Sequence, residues 1–261
     1  MALRFCSETS AGRRRTVNQD ALLTDSSLQL FAVADGMGGH KDGDLASRLV
    51  VDGMCGFFEA TRADNDKTWP FAADPLLGYA ANRLRTSILV ANRMIGERSG
   101  GAASGSMGAT LVAALIGPDR AVLAHVGDCR AYLLDGAGLR QLTRDHSWVA
   151  DQVDAGFISP ETARAHPWRN MVTRAVQGDP DLTVDTVEVV FAEPSRLLLC
   201  SDGLHSVVND DDITQILRGA GEPSGICDTL VRTANERGAP DNVSVIVIDW
   251  APEPATAAPS L

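Results

Sequence analysis

The feature that most constrains this chain is a set of short apolar runs with no polar face. Leu30-Phe31-Ala32-Val33-Ala34, Leu197-Leu198-Leu199-Cys200 and Val243-Ser244-Val245-Ile246-Val247-Ile248 are short, apolar and bounded by turn residues, the pattern of a strand buried on both sides. In the last run Val243, Val245 and Val247 point one way while Ile246 and Ile248 point the other, because strand side chains alternate between faces. Such strands must be covered twice. Strands are expected over 28–34, 109–116, 121–126, 131–134, 184–190, 196–200 and 243–249. The cover is also legible. Residues 44–59 carry an apolar stripe of Leu45, Leu49, Val50, Met54, Phe57 and Phe58, and residues 75–97 one of Leu76, Ala80, Leu84, Ile88, Ala91 and Ile95, both at helical spacing. Shorter helices are expected over 211–218 and over 223–237, where Gly238 suits the stop. Two helices early and two late imply two sheets face to face, each backed by a helix pair.

Neither an internal repeat nor a mid-chain linker interrupts this pattern. With 44% hydrophobic residues over 261 positions, one large core is affordable. One domain is expected over 1–250, followed by a disordered Pro- and Ala-rich tail over 251–261. A net charge of −11 and few aromatics argue against a nucleic-acid partner, which calls for a basic stripe or a stacking platform. Five cysteines stand at 6, 55, 129, 200 and 227, an odd number with wide spacing and no C-x-x-C. That argues against a disulfide framework or zinc knuckle, and Cys55, Cys200 and Cys227 read as core thiols. No apolar run approaches the ~18 residues needed to span a bilayer, and the first residues lack an apolar signal core. A reduced, cytoplasmic protein without membrane partners is expected.

The chemistry is suggested by aspartates at strand ends. Asp35 follows Leu30–Ala34 and precedes Gly36; Asp128 follows His125-Val126-Gly127; Asp202 follows Leu197–Ser201; Asp20 precedes Ala21-Leu22-Leu23; Asp241 precedes Asn242-Val243. One Asp-Gly at a strand end is an ordinary turn. Five aspartates in the same setting are not so easily dismissed, since carboxylates gathered at the mouth of a sheet repel one another unless a cation neutralises them. Oxygen-only ligands select Mg²⁺ or Mn²⁺ over zinc.

Eight segments in order carry a resemblance: Arg15-Thr-Val-Asn-Gln-Asp20, Val33-Ala-Asp-Gly-Met-Gly-Gly-His40, Gly105-Ser-Met-Gly-Ala-Thr-Leu111, His125-Val-Gly-Asp-Cys-Arg-Ala-Tyr132, Leu142-Thr-Arg-Asp-His-Ser147, His166-Pro-Trp-Arg-Asn-Met-Val-Thr-Arg174, Leu199-Cys-Ser-Asp-Gly-Leu204 and Ala239-Pro-Asp-Asn-Val-Ser244. Over about residues 5–250 the chain resembles the metal-dependent serine/threonine protein phosphatases, the type 2C or PPM family, especially its bacterial branch. The resemblance implies an α+β fold, a four-layer α-β-β-α sandwich of two antiparallel sheets flanked by helix pairs. It also implies hydrolysis of phosphoserine and phosphothreonine by direct attack of a metal-bridging hydroxide. By the same resemblance, Asp35 bridges two Mn²⁺ or Mg²⁺ ions, the Gly36 carbonyl ligates one, and Asp20, Asp202 and Asp241 complete the pair, Asp20 directly or through water. Asp128, with Asp202, matches a weaker third ion site. Arg15 matches the residue that grips the substrate phosphate, and residues 143–177 match a flap where substrate choice lies. Phosphorylated proteins, a cognate Ser/Thr kinase or its targets, and a monomeric state are the implied partners and assembly.

The chain departs from the family at three places: Gln19 replaces a Glu, Met37 stands where animal members have a candidate acid histidine, and Cys129 replaces a Ser. His40 is the nearest substitute for the acid, able to protonate a leaving alkoxide, though a surface loop histidine is an equal reading. Arg13-Arg14-Arg15 also reads as a solvated basic face. His125 reads as a core histidine with its hydrogen bonds made, His146 and His166 as structural, and His205 as exposed. Asp210-Asp211-Asp212 suits a helix start rather than a metal site, and no cysteine has the arginine six positions later that a phosphocysteine route needs. Two rival functions remain at this point: a silent member that binds phosphoproteins, and a phosphatase for a small metabolite or an anti-sigma antagonist.

Overall fold

A computed structural model describes residues 3–38, 42–62, 68–100, 107–191 and 194–250. Ten strands form two antiparallel five-stranded sheets. The first has the order β1 (Arg4–Ser10), β10 (Val243–Trp250), β9 (Ser195–Cys200), β6 (Arg130–Asp135), β7 (Gly138–Gln141). The second runs β2 (Asp20–Asp25), β3 (Leu30–Gly38), β4 (Met107–Ile116), β5 (Arg120–Val126), β8 (Asp185–Val190).

The two-faced strands do what their composition requires. Phe31 and Val33 of β3 meet Leu197 and Leu199 of β9 and Ile246 and Ile248 of β10 in the seam between the sheets. On the other face of β3, Leu30, Ala32 and Ala34 pack on α1 (Asp42–Ala60) and α2 (Tyr79–Arg98) through Val50, Met54, Phe58, Leu84, Ile88 and Ile95. On the outer face of the first sheet, Val243, Val245 and Val247 pack on α6 (Asp210–Leu217) and α7 (Pro223–Glu236) through Ile213, Leu217, Ile226 and Leu230. Each such buried aliphatic or aromatic side chain contributes roughly 1.5–3 kcal/mol. The four-layer α-β-β-α sandwich is therefore the expected one. No described helix is long and apolar enough to cross a membrane.

Several expectations shift. β1 and β7 are sheet edges and half-polar, so they lack the apolar run that marks an inner strand; β1 nonetheless pairs with β10 over seven residues. The second long helix begins at Tyr79 rather than 75, and Leu76 lies outside it, 91% exposed. Cys227 is not a free core thiol: α7 brings it to β1, where it forms a disulfide with Cys6. The sequence separation of 221 residues hid that pairing. The tail expected over 251–261 lies outside the described residues.

Candidate active site

Asp20 opens β2 and Asp35 lies in β3, directly opposite it across the ladder. Thr110 of β4 opposes Asp35 on the other side. The β5–β6 turn supplies Asp128. The other sheet supplies Asp202, the first residue of the short α5 (Asp202–His205) after β9, and Asp241, just before β10. Because the sheets lie face to face, these five carboxylates meet at one end of the sandwich, and Asp35 feels the charges of the other four.

The electrostatics are severe. Burial, then the charges of Asp20, Asp202, Asp128 and Asp241, hold the Asp35 carboxyl well above the usual carboxylate range. Burial, then Asp128, Asp241 and Asp20, does the same to Asp202. Burial raises Asp20 to about 6. Asp128 rises to about 6 through burial and the charge of Asp145. The two sheets thus press Asp20, Asp35 and Asp202 together, each raised chiefly by burial. Asp20 Oδ1 and Asp202 Oδ1 are buried without a partner. Mutually repelling carboxyls with orphaned buried oxygens are what a set of hard-cation ligands presents. The donor set fits Mn²⁺ or Mg²⁺.

Gly36 is pinned beside this cluster. Its N–H donates to the Gln19 carbonyl at 3.1 Å, and a Cβ there would lie 2.0 Å from the Gly43 carbonyl oxygen, so no other residue fits. The Nε2 of Gln19 is itself buried and unpartnered. Arg15 reaches the cluster from the β1–β2 connection and ion-pairs with Asp241 at 2.7 Å while half of its side chain stays exposed. His40 lies outside the described residues, as do Gly105 and Ser106.

Other residues hold the site in place. Asn242 accepts from the Gln19 N–H at 2.8 Å and donates to the carbonyls of Ala11 and Val17 at 3.0 Å each. One buried amide thus fastens both ends of the segment that carries Arg15. Ser201 donates to Asp20 Oδ2 at 2.9 Å and accepts from the Ser244 N–H at 2.9 Å, which ties the two sheets together at the site. Both residues stand inside the quoted motifs, but nothing in the sequence assigned them a task. His205 is not exposed: it is half-buried, its Nε2 donates to the Asp128 carbonyl at 3.0 Å, and burial lowers its pKa to about 3. His125 is buried as expected, yet its Nδ1 has no partner. His166 packs on Trp148 with ring centroids 4.9 Å apart.

His125, His146 and Asp185 also approach within 4.8 Å, but they do not form a cation site. The two imidazoles stack at 4.7 Å and 21°, so their in-plane lone pairs cannot converge on one ion. Arg174 Nη1 already lies 2.6 Å from Asp185 Oδ1.

A two-sheet sandwich with an aspartate cluster drawn from both sheets and an arginine at its rim is the arrangement of a metal-dependent hydrolase of anionic substrates. The family model for Protein phosphatase 2C matches residues 8–228. Serine/threonine phosphatase stp of Listeria monocytogenes is 35% identical over 248 residues, spanning 92% of this chain and 93% of that protein. The crystal structure of serine/threonine phosphatase Stp1 from Staphylococcus aureus superposes with a TM-score of 0.83 at 33% identity, covering 96% of each chain. The catalytic domain of serine/threonine protein phosphatase PstP, solved in complex with two manganese ions, has a TM-score of 0.78 at 32% identity, covering 95% of this chain and 97% of that one. The chain belongs to the protein phosphatase 2C family, the metal-dependent serine/threonine protein phosphatases.

Proposed function

We propose that this chain removes phosphate from phosphoserine and phosphothreonine in proteins, with Asp20, Asp35, Gly36, Asp202 and Asp241 holding two Mn²⁺ or Mg²⁺ ions and Asp128 with Asp202 holding a weaker third. The observation that carries the reading is the convergence of the Asp35 carboxyl with four further acids, two of which, Asp20 and Asp202, keep buried oxygens without a partner. A cluster so costly when empty is most simply explained by cations. When bound, the two ions acidify a water for in-line attack at phosphorus and offset the charge that develops there.

The chain's own groups then have distinct tasks. Arg15 exchanges Asp241 for the substrate phosphate, where its planar fork pairs two oxygens. Ser201 and Asn242 keep Asp20 and the Arg15 segment in register across the two sheets. His40 is proposed to give the leaving alkoxide its proton. Residues 1–250 are proposed to form the phosphatase domain. The proposed assembly is a monomer and the proposed setting is the cytoplasm, opposite a Ser/Thr kinase whose targets it restores.

The test is hydrolysis of a phosphothreonine peptide by Asp35→Ala and Asp202→Ala variants in Mn²⁺. Both are expected to lose activity, and full activity in either sinks the metal assignment.

A further inference from the structure

We infer that His146 is a positioning residue that fixes the Asp128 turn and couples it to the flap. This rests on the reading of Asp128 as a cation ligand. The turn that carries Asp128 is held at Cys129, whose Sγ lies 3.1 Å from the Thr110 hydroxyl, but no side chain of its own holds it at Gly127. Gly127 sits at φ +100°, and a Cβ there would lie 2.3 Å from the Thr110 side chain, so the position must lack a side chain and cannot anchor itself by one. His146 supplies the anchor from outside. The Gly127 N–H donates to His146 Nδ1 at 3.0 Å, and the His146 N–H donates to the Gly127 carbonyl at 2.9 Å. One residue therefore holds both polar groups of the residue before Asp128. His205 holds the Asp128 carbonyl on the other side.

The same ring meets the flap through Asp185 of β8. With Nδ1 accepting, the proton sits on Nε2 and donates to Asp185 Oδ2 at 3.2 Å; Arg174 Nη1, 3.1 Å from the same nitrogen, is then a second donor that bonds the carboxylate instead of the ring. Arg174, at the far end of the flap, donates to Asp185 Oδ1 at 2.6 Å. The His146 carbonyl accepts from the Thr173 N–H at 2.8 Å, and the Trp148 N–H donates to the Met171 carbonyl at 2.8 Å. His125, opposite Asp185 in the β5–β8 ladder, stacks on the His146 ring and fixes its plane. His146 thus joins the flap through its carbonyl and the Asp128 turn through its N–H and Nδ1.

Two near-isosteres separate these bonds. In His146→Asn, Oδ1 occupies the place of Nδ1 and keeps the bond from Gly127, but nothing replaces Nε2. In His146→Gln, the terminal amide reaches Asp185, but nothing accepts from Gly127. The experiment is calorimetric titration of the metal-stripped chain with Mn²⁺, with melting curves to confirm the fold. Asp128→Ala is expected to lose the weakest binding event. H146Q is expected to weaken that event about 10-fold, the size of an outer-shell support, and to leave the tighter events unchanged. H146N is expected to stay within about 2-fold of the wild type, as the retained acceptor bond requires. Wild-type affinity in H146Q while Asp128→Ala has lost the event overturns the inference and leaves the Asp128 reading intact. Wild-type binding in Asp128→Ala overturns the Asp128 reading and this inference with it. Should H146Q not fold, H146N still decides: a folded H146N with the weakest event lost shows that the Gly127 bond is not the cause.

Discussion

Removing one charge from the carboxylate cluster should make the metal-free protein more stable while it damages the enzyme. Asp20 shows the size of the effect. Its carboxyl rises from 3.8 to about 6, chiefly through burial. That difference of roughly two units corresponds to about 3 kcal/mol of destabilisation once the group is ionised. The proton is held more tightly in the folded chain than in the unfolded one, so the stabilisation is complete below about pH 4 and is lost as pH rises through about 6. Asp20→Asn is the perturbation. The amide still accepts from Ser201, whose hydroxyl donates to Oδ2 in the wild type, and it carries no charge against Asp35. At roughly 2–4 °C per kcal/mol for a domain of this size, EDTA-treated Asp20→Asn should melt several degrees above the wild type at about pH 7.5. The two should converge near pH 4. In saturating Mn²⁺ the order should reverse, because the wild type gains more from binding. The assay is thermal unfolding by circular dichroism at both pH values, with and without metal. A metal-free variant that melts at or below the wild type at neutral pH would refute the reasoning.

Four further outcomes follow from the same structure. Arg15→Lys should lower kcat/KM for a phosphopeptide by roughly 10–100-fold, since an ammonium cannot supply the bidentate fork; steady-state kinetics check it, and wild-type kcat/KM removes Arg15 from phosphate binding. Gln19→Glu should tighten Mn²⁺ by about 10-fold in calorimetry, because a carboxylate replaces the orphaned amide donor beside the cluster; unchanged affinity counts against that placement. Asp145→Ala should cost about 3–5 kcal/mol in urea unfolding, since it strands Arg130, whose guanidinium pairs bidentately with Asp145 at 2.8 and 2.7 Å in a largely buried setting. Asp35→Ala should reduce Mn²⁺-dependent hydrolysis of p-nitrophenyl phosphate by at least about 100-fold.

How much of this was legible in the sequence follows from how local each signal is. The inner strands announced themselves because Val245 and Ile246 both need burial and a strand sends them to opposite faces. The helix pairs were equally plain, since Val50, Met54 and Phe58 recur at helical spacing. Edge strand β1 was not, because its register comes from β10, more than two hundred residues away. The Cys6–Cys227 bridge escaped for the same reason. The aspartates could be gathered from their strand-end positions and the motifs around them. The residues that support them could not. His205 bonding a backbone carbonyl, Ser201 linking two sheets, and His146 gripping Gly127 depend on how separate segments meet in space.

The most direct test of the central claim is phosphate release from a phosphothreonine peptide by the purified chain, measured after EDTA treatment and again after Mn²⁺ is added back. The account predicts no release in EDTA and full recovery with Mn²⁺, while Asp35→Ala stays inactive in both. Release that persists in EDTA, or recovery in Asp35→Ala, would contradict it.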